Sequence, residues 1–119
     1  TGNCGGSVVN VGTFLNRYSQ TPLAVNLATL IAHGSVRREV LGTENKQPTA
    51  EELAKMEALV EKAMKEGAVG LSTGLIYVPG TYAKTEEVVA LARVAKKYNG
   101  VYASHIRNEA NKVFEAIAE

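Results

Sequence analysis

Apolar and polar positions along the chain follow two periods, and the switches between them mark the elements. Over residues 10–19, NVGTFLNRYS, the side chains of Val11, Phe14, Leu15 and Tyr18 share one face at helical spacing. A short helix is predicted, weakened by Gly12. Residues 24–32, AVNLATLIA, form an apolar run of strand length with Val, Thr and Ile, and read as a buried strand. Residues 33–48, HGSVRREVLGTENKQP, are polar and broken, which predicts a loop with at most one turn of helix. The next segment is the clearest. Thr49 and Glu52 make a T-x-x-E capping box after Pro48, and Leu53, Met56, Leu59, Val60, Ala63 and Met64 form one stripe. Gly67 supplies the stop. AVGLST (68–73) reads as a second strand.

A glycine-marked loop, GLIYVPGTYAK, then leads to Thr85 as a predicted N-cap, with Glu86 and Glu87 in the first turn complementing the helix dipole. Val88, Leu91, Ala92, Ala95 and Tyr98 mark that helix's buried face. Asn99-Gly100 ends it, and VYASHI (101–106) is the third strand. A last helix is expected from about Glu109, with Val113, Phe114 and Ile117 inward. Helices alternating with near-continuous apolar strands imply a parallel sheet with both faces covered. Two α/β architectures fit: an open doubly wound sheet, or about three βα units of a (β/α)8 TIM barrel.

Composition narrows the function more than the fold. The 119 residues are 45% apolar and 21% charged, with a net charge of +1, as in an ordinary globular domain. Mixed charge argues against nucleic acid as a partner, and no apolar run approaches the roughly 20 residues that span a bilayer. The single cysteine permits no internal disulfide, and a reducing, cytoplasmic home is expected. The chain opens on TGNCGG and closes inside a helical pattern, so a piece of a larger protein is expected. Residues 1–119 are read as one part of a catalytic barrel domain, with no internal boundary.

In either architecture functional groups collect past the carboxyl ends of the strands. Cys4, His33, the Ser72–Thr73–Tyr77 stretch, and His105 with Arg107 all fall there. Each has a plainer reading. A lone cysteine is most often a small buried hydrophobe. His33 could bond within its own loop, and Arg107 with Glu109 could be a surface ion pair worth under about 1 kcal/mol. No phosphate-binding glycine fingerprint is present. A Cys–His pair supports two sharper chemistries: a thiol nucleophile with a histidine base, or a zinc site with an open position.

GNCGGS, AVNLATLIAHGSVR, EGAVGLSTGLIYVPGTYAKTEE and GVYASHIRNE, in this order and spacing, resemble the D-aminoacylases. These are the N-acyl-D-amino-acid deacylases of the amidohydrolase superfamily. The resemblance covers essentially the whole chain. It implies a distorted (β/α)8 barrel, a zinc cofactor and hydrolysis of the amide of a small-molecule N-acyl-D-amino acid. It places metal ligands at Cys4 and His105 and a substrate-pocket wall at Tyr77. Arg107 and Glu109 are expected behind the ligands, orienting their loop. His33 and Arg37 lie in the family's G-H-G-x-x-R stretch and are also expected behind the site. The family's H-x-H, its later histidine ligand, its catalytic aspartate and its carboxylate-gripping arginine have no counterpart here. The chain alone is therefore expected to lack activity. The nearest rival is another cyclic-amide amidohydrolase of hydantoinase or dihydroorotase type, against which the cysteine in GNCG argues. A rival of another class is a non-catalytic half-barrel or binding module, whose exposed sheet edges favour self-association.

Overall fold

The structure, a computed structural model, describes residues 1–119. The elements run α1 (Val11–Ser19), β1 (Ile31–Ala32), α2 (His33–Leu41), α3 (Ala50–Lys65), β2 (Gly70–Gly74), α4 (Thr85–Lys97), β3 (Val101–His105) and α5 (Val113–Ala118). A 3-10 turn, Gly80–Tyr82, interrupts the loop between β2 and α4. The strands are parallel in the order β1-β2-β3, with Leu71 of β2 between Ile31 and Tyr102. Outside β1, the Thr1 ammonium donates to the Ala28 carbonyl at 2.7 Å, and the Leu30 amide donates to the Thr1 carbonyl at 3.0 Å. The first residues of the chain thus lie against the approach to β1, and Cys4 emerges among the strand ends. No helix is long and apolar enough to cross a membrane.

The core sits between the sheet and helices α2, α3 and α4. Ile31, Leu71, Val36, Val60, Met56 and Leu91 are all fully buried there. Helix α3 forms for the reason its sequence predicts: the Thr49 hydroxyl accepts from the Glu52 amide, and the Glu52 carboxylate accepts from the Thr49 amide. Gly67, at φ +107°, ends it. In α1 the weakening glycine has a packing role. The Gly12 amide donates to Glu66 at 2.8 Å, and a Cβ at Gly12 would press on that side chain.

Four expectations need correction. The strand predicted over 24–32 is only Ile31–Ala32. A strand exists only beside a partner, and pairing with the 69–72 segment reaches back no further than Thr29, whose carbonyl accepts from Val69. Val25 stays 74% exposed. The loop predicted over 33–48 contains the nine-residue helix α2. Its buried face carries His33 and Arg37 beside Val36 and Leu41, so its pattern reads as polar. The N-cap of α4 is Lys84, without a side-chain cap, and the Thr85 hydroxyl instead donates to Glu119 at 2.9 Å. Helix α5 starts at Val113, and Phe114 and Ile117 remain 84% and 67% exposed, with no layer packed over them.

Candidate functional site

Register places the chemistry. Gly74 and His105 are the paired last residues of β2 and β3. The Cys4 turn rests directly on Gly74. Cys4 takes φ +55° between Gly2 at +83° and Gly5 at +75°, a left-handed course that glycine neighbours make accessible. A Cβ at Gly74 would stand 2.1 Å from the Cys4 carbonyl oxygen, and one at Gly5 would stand 2.5 Å from the Gly74 nitrogen. Only glycines let these backbones touch. The Cys4 thiol is exposed, so it does not serve as a small core hydrophobe.

Cys4 and His105 line one open cleft of about 630 Å³ with Asn3, Ala103, Ile106 and Glu109. The His105 backbone is held by the Leu75 amide, which donates to its carbonyl at 2.9 Å. The ring of Tyr77 meets the His105 imidazole edge-on, with centroids 5.0 Å apart at 88°. His105 Nε2 is buried and has no hydrogen-bond partner. Glu109 Oε1 lies 3.1 Å from it, but out of line for a hydrogen bond. Thiol and imidazole are donor types suited to zinc, and both face this cleft. No group of three His, Cys, Asp or Glu side chains stands close enough together to hold a metal ion. A more apolar cleft of about 460 Å³, walled by Val88, Tyr102 and Ile117, opens between α4, β3 and α5. It holds neither Cys4 nor His105.

The other predicted residues separate into two groups. His33 and Arg37 do not reach the cleft. His33 Nε2 lies 2.7 Å from Glu87 Oε1, and Arg37 Nη1 donates to the other oxygen of the same carboxylate. Arg37 Nη2 donates to the Lys46 carbonyl. All three side chains are buried. Burial alone would push the Glu87 carboxyl up, but the hydrogen bonds from His33 and Arg37 outweigh it and hold the group below the usual carboxylate range. Glu87 did not stand out from the sequence, where it reads as a dipole-complementing residue. The available signal was its place on the buried stripe, next to Val88 and one turn before Leu91.

Arg107 and Glu109 do not pair with each other. Glu109 faces His105, whereas Arg107 pairs with Glu119 at 2.7 Å and donates to the carbonyls of Thr81 and Ala83. Ser72 and Thr73 make structural bonds: Ser72 donates to the Gly2 carbonyl, and Thr73 links to Tyr102 and Ser104.

No model of a known protein family matches the chain. It is 38% identical over 106 residues to the D-aminoacylase of Alcaligenes xylosoxydans, which covers 89% of this chain and 22% of that protein. With the N-acyl-D-glutamate deacylase of the same organism it shares 41% identity over 101 residues, or 85% of this chain and 20% of the relative. It also superposes on the N-acyl-D-glutamate deacylase of Bordetella bronchiseptica, solved with zinc and a phosphonate mimic of the tetrahedral intermediate. That match has a TM-score of 0.92 and 31% identity over 99% of this chain and 30% of the other.

The chain belongs to the D-aminoacylase family. It spans about a fifth of the length of the curated relatives it matches. Its parallel βα units are an arc of a (β/α)8 barrel, and the doubly wound alternative is set aside. In that barrel the cleft of Cys4 and His105 lies at the carboxyl ends of the strands, where barrel enzymes build their sites.

Proposed function

We propose that this chain supplies one wall of the active site of a zinc-dependent hydrolase that cleaves the amide bond of N-acyl-D-amino acids. The observation that carries this reading is that Cys4 and His105, from opposite ends of the chain, line one cleft. The relatives' substrates support the class of reaction.

In this reading Cys4 and His105 hold the metal. Bound there, zinc would supply Lewis-acid polarisation of the scissile carbonyl and would lower the pKa of a bound water toward neutrality. The rigid end of β3 fixes the imidazole, with the Leu75 amide holding its backbone. Tyr77 stands edge-on to that ring and walls the substrate on one side, excluding water from the reacting amide. Glu109 lies against the His105 ring, and Arg107 holds the loop that carries Tyr77. A thiolate ligand must stay reduced, which fits a cytoplasmic enzyme.

Catalytic zinc takes three protein ligands, so the 119-residue chain alone is inactive in this reading. The test uses the longer protein that carries these residues. It should contain zinc, hydrolyse N-acetyl-D-amino acids in preference to the L-enantiomers, and lose both metal and turnover in Cys4→Ala. Unchanged zinc content in that variant refutes the ligand assignment. Turnover of cyclic amides in place of N-acyl-D-amino acids refutes the substrate class. Turnover by the isolated 119-residue chain, abolished by Cys4→Ala, overturns its predicted inactivity.

A further inference from the structure

Arg107 leaves β3 two residues after His105 but does not serve the His105 loop. Its Nη1 donates to the Thr81 carbonyl and its Nη2 to the Ala83 carbonyl, each at 3.0 Å. Those carbonyls belong to the 3-10 turn and its exit. The same turn holds Tyr77, because the Thr81 amide donates to the Tyr77 carbonyl at 2.8 Å. The Thr81 residue is thus bonded to Tyr77 through its amide and to Arg107 through its carbonyl. Glu119 takes the remaining charge, accepting from Nε at 2.9 Å and from Nη2 at 2.7 Å. The planar guanidinium is suited to this, since it presents several donors in fixed directions where an ammonium presents a point charge.

The β3 exit therefore grips the 74–83 loop at three places. The His105 carbonyl accepts from Leu75, the His105 ring meets the edge of Tyr77, and Arg107 holds Thr81 and Ala83. We infer that Arg107 is a positioning residue for Tyr77, setting the distance between the substrate wall and the His105 ligand. This rests on the reading of Tyr77 as part of the substrate pocket. A residue that only steadied the His105 loop would bond within 105–110, and Arg107 makes no such bond.

The experiment compares Arg107→Ala, Arg107→Lys and the unsubstituted protein in the longer chain that carries these residues. Three quantities are measured: zinc per chain, amide hydrogen exchange over residues 75–84, and kcat and KM for an N-acetyl-D-amino acid. In Arg107→Ala, zinc content should stay unchanged and exchange at Thr81, Tyr82 and Ala83 should accelerate. KM should rise about tenfold, the equivalent of one lost charge-assisted hydrogen bond, with kcat changed less. Arg107→Lys should recover only part of both effects, because one ammonium does not span two carbonyls and a carboxylate.

Loss of zinc in Arg107→Ala would overturn the inference and assign Arg107 to the ligand loop. Unaltered exchange at 80–83, or equal falls in kcat and kcat/KM with KM unchanged, would overturn it as well. Exchange is read without turnover, so a wrong substrate class leaves the anchoring result standing.

Discussion

Glu87 on α4 faces His33 on α2 across 2.7 Å, with both side chains sealed from solvent. The pairing joins two helices behind the sheet, and Arg37 completes it from the next turn of α2. A buried carboxylate between an imidazole and a guanidinium is stable only while all three remain. Removing one partner of such a pair strands a charge and costs about 3–5 kcal/mol. Glu87→Ala should lose stability on that scale, read as a lowered urea midpoint. Glu87→Gln, which keeps the shape and one acceptor, should lose less. Equal stability of Glu87→Ala and the parent would show that the cluster contributes nothing.

The same contact predicts an acid response. The His33 and Arg37 hydrogen bonds hold the Glu87 carboxyl below its ordinary value, against a burial effect that alone would raise it. The folded value thus lies under the unfolded one, about 4.3 for glutamate. The stabilisation is complete above that pH and is lost as pH falls through the depressed folded value. Urea midpoints should be flat from neutrality down to about pH 5 and fall below about pH 4. Glu87→Gln should flatten part of that fall, and an identical slope in both proteins would remove Glu87 from its cause.

Gly74→Ala tests how the Cys4 turn is seated. The new Cβ would stand 2.1 Å from the Cys4 carbonyl oxygen and 3.0 Å from the Tyr77 ring. A backbone atom cannot swing aside as a side chain can, so the Cys4 turn must lift. The expected result is lower zinc content in the longer protein and a destabilisation at the upper end of the 1–3 kcal/mol range of about-one-methyl overpacking. Gly42→Ala is the control for a glycine with positive φ and nothing within 4 Å. It should keep its zinc.

The free edge of the sheet carries a fourth consequence. Strand β3 is the last in the order, and Val101 and Tyr102 on it are 59% and 48% exposed. An unpaired, apolar edge strand is a template for another copy. The 119-residue chain expressed alone should self-associate, and Val101→Lys should shift it toward monomer in sedimentation velocity. Monomeric behaviour of the unsubstituted chain would refute this.

Local chemistry sets what could be read from the residues alone. The capping box of Thr49 and Glu52, the stop at Gly67 and the turn at Asn99 act between neighbours, so helix α3 and the end of α4 follow from their own segments. The order of βα units and the place of His105 at a strand end follow in the same way, because periodicity marks where strands finish, whereas Cys4 is set among the strand ends by contact with Gly74. The motifs GNCG and SHIRNE then carried the family assignment that the relatives support.

Contacts between distant segments set the rest. Helix α2 reads as a polar loop until Glu87 arrives, 54 residues beyond His33 and 50 beyond Arg37, and makes those polar side chains fit to bury. The run at 24–32 is apolar enough for a strand along its length, yet only its end has a neighbour to bond. Phe114 and Ile117 have helical spacing but no layer to pack against. Arg107 stands two places from Glu109 and bonds instead to Glu119, Thr81 and Ala83. Sequence by itself determined which segments can be helix or strand, because that is a property of single residues and short spacings. Tertiary structure decided which polar groups are paired, since a buried charge or an edge hydrogen bond takes its energy from a partner that the chain must fold to supply.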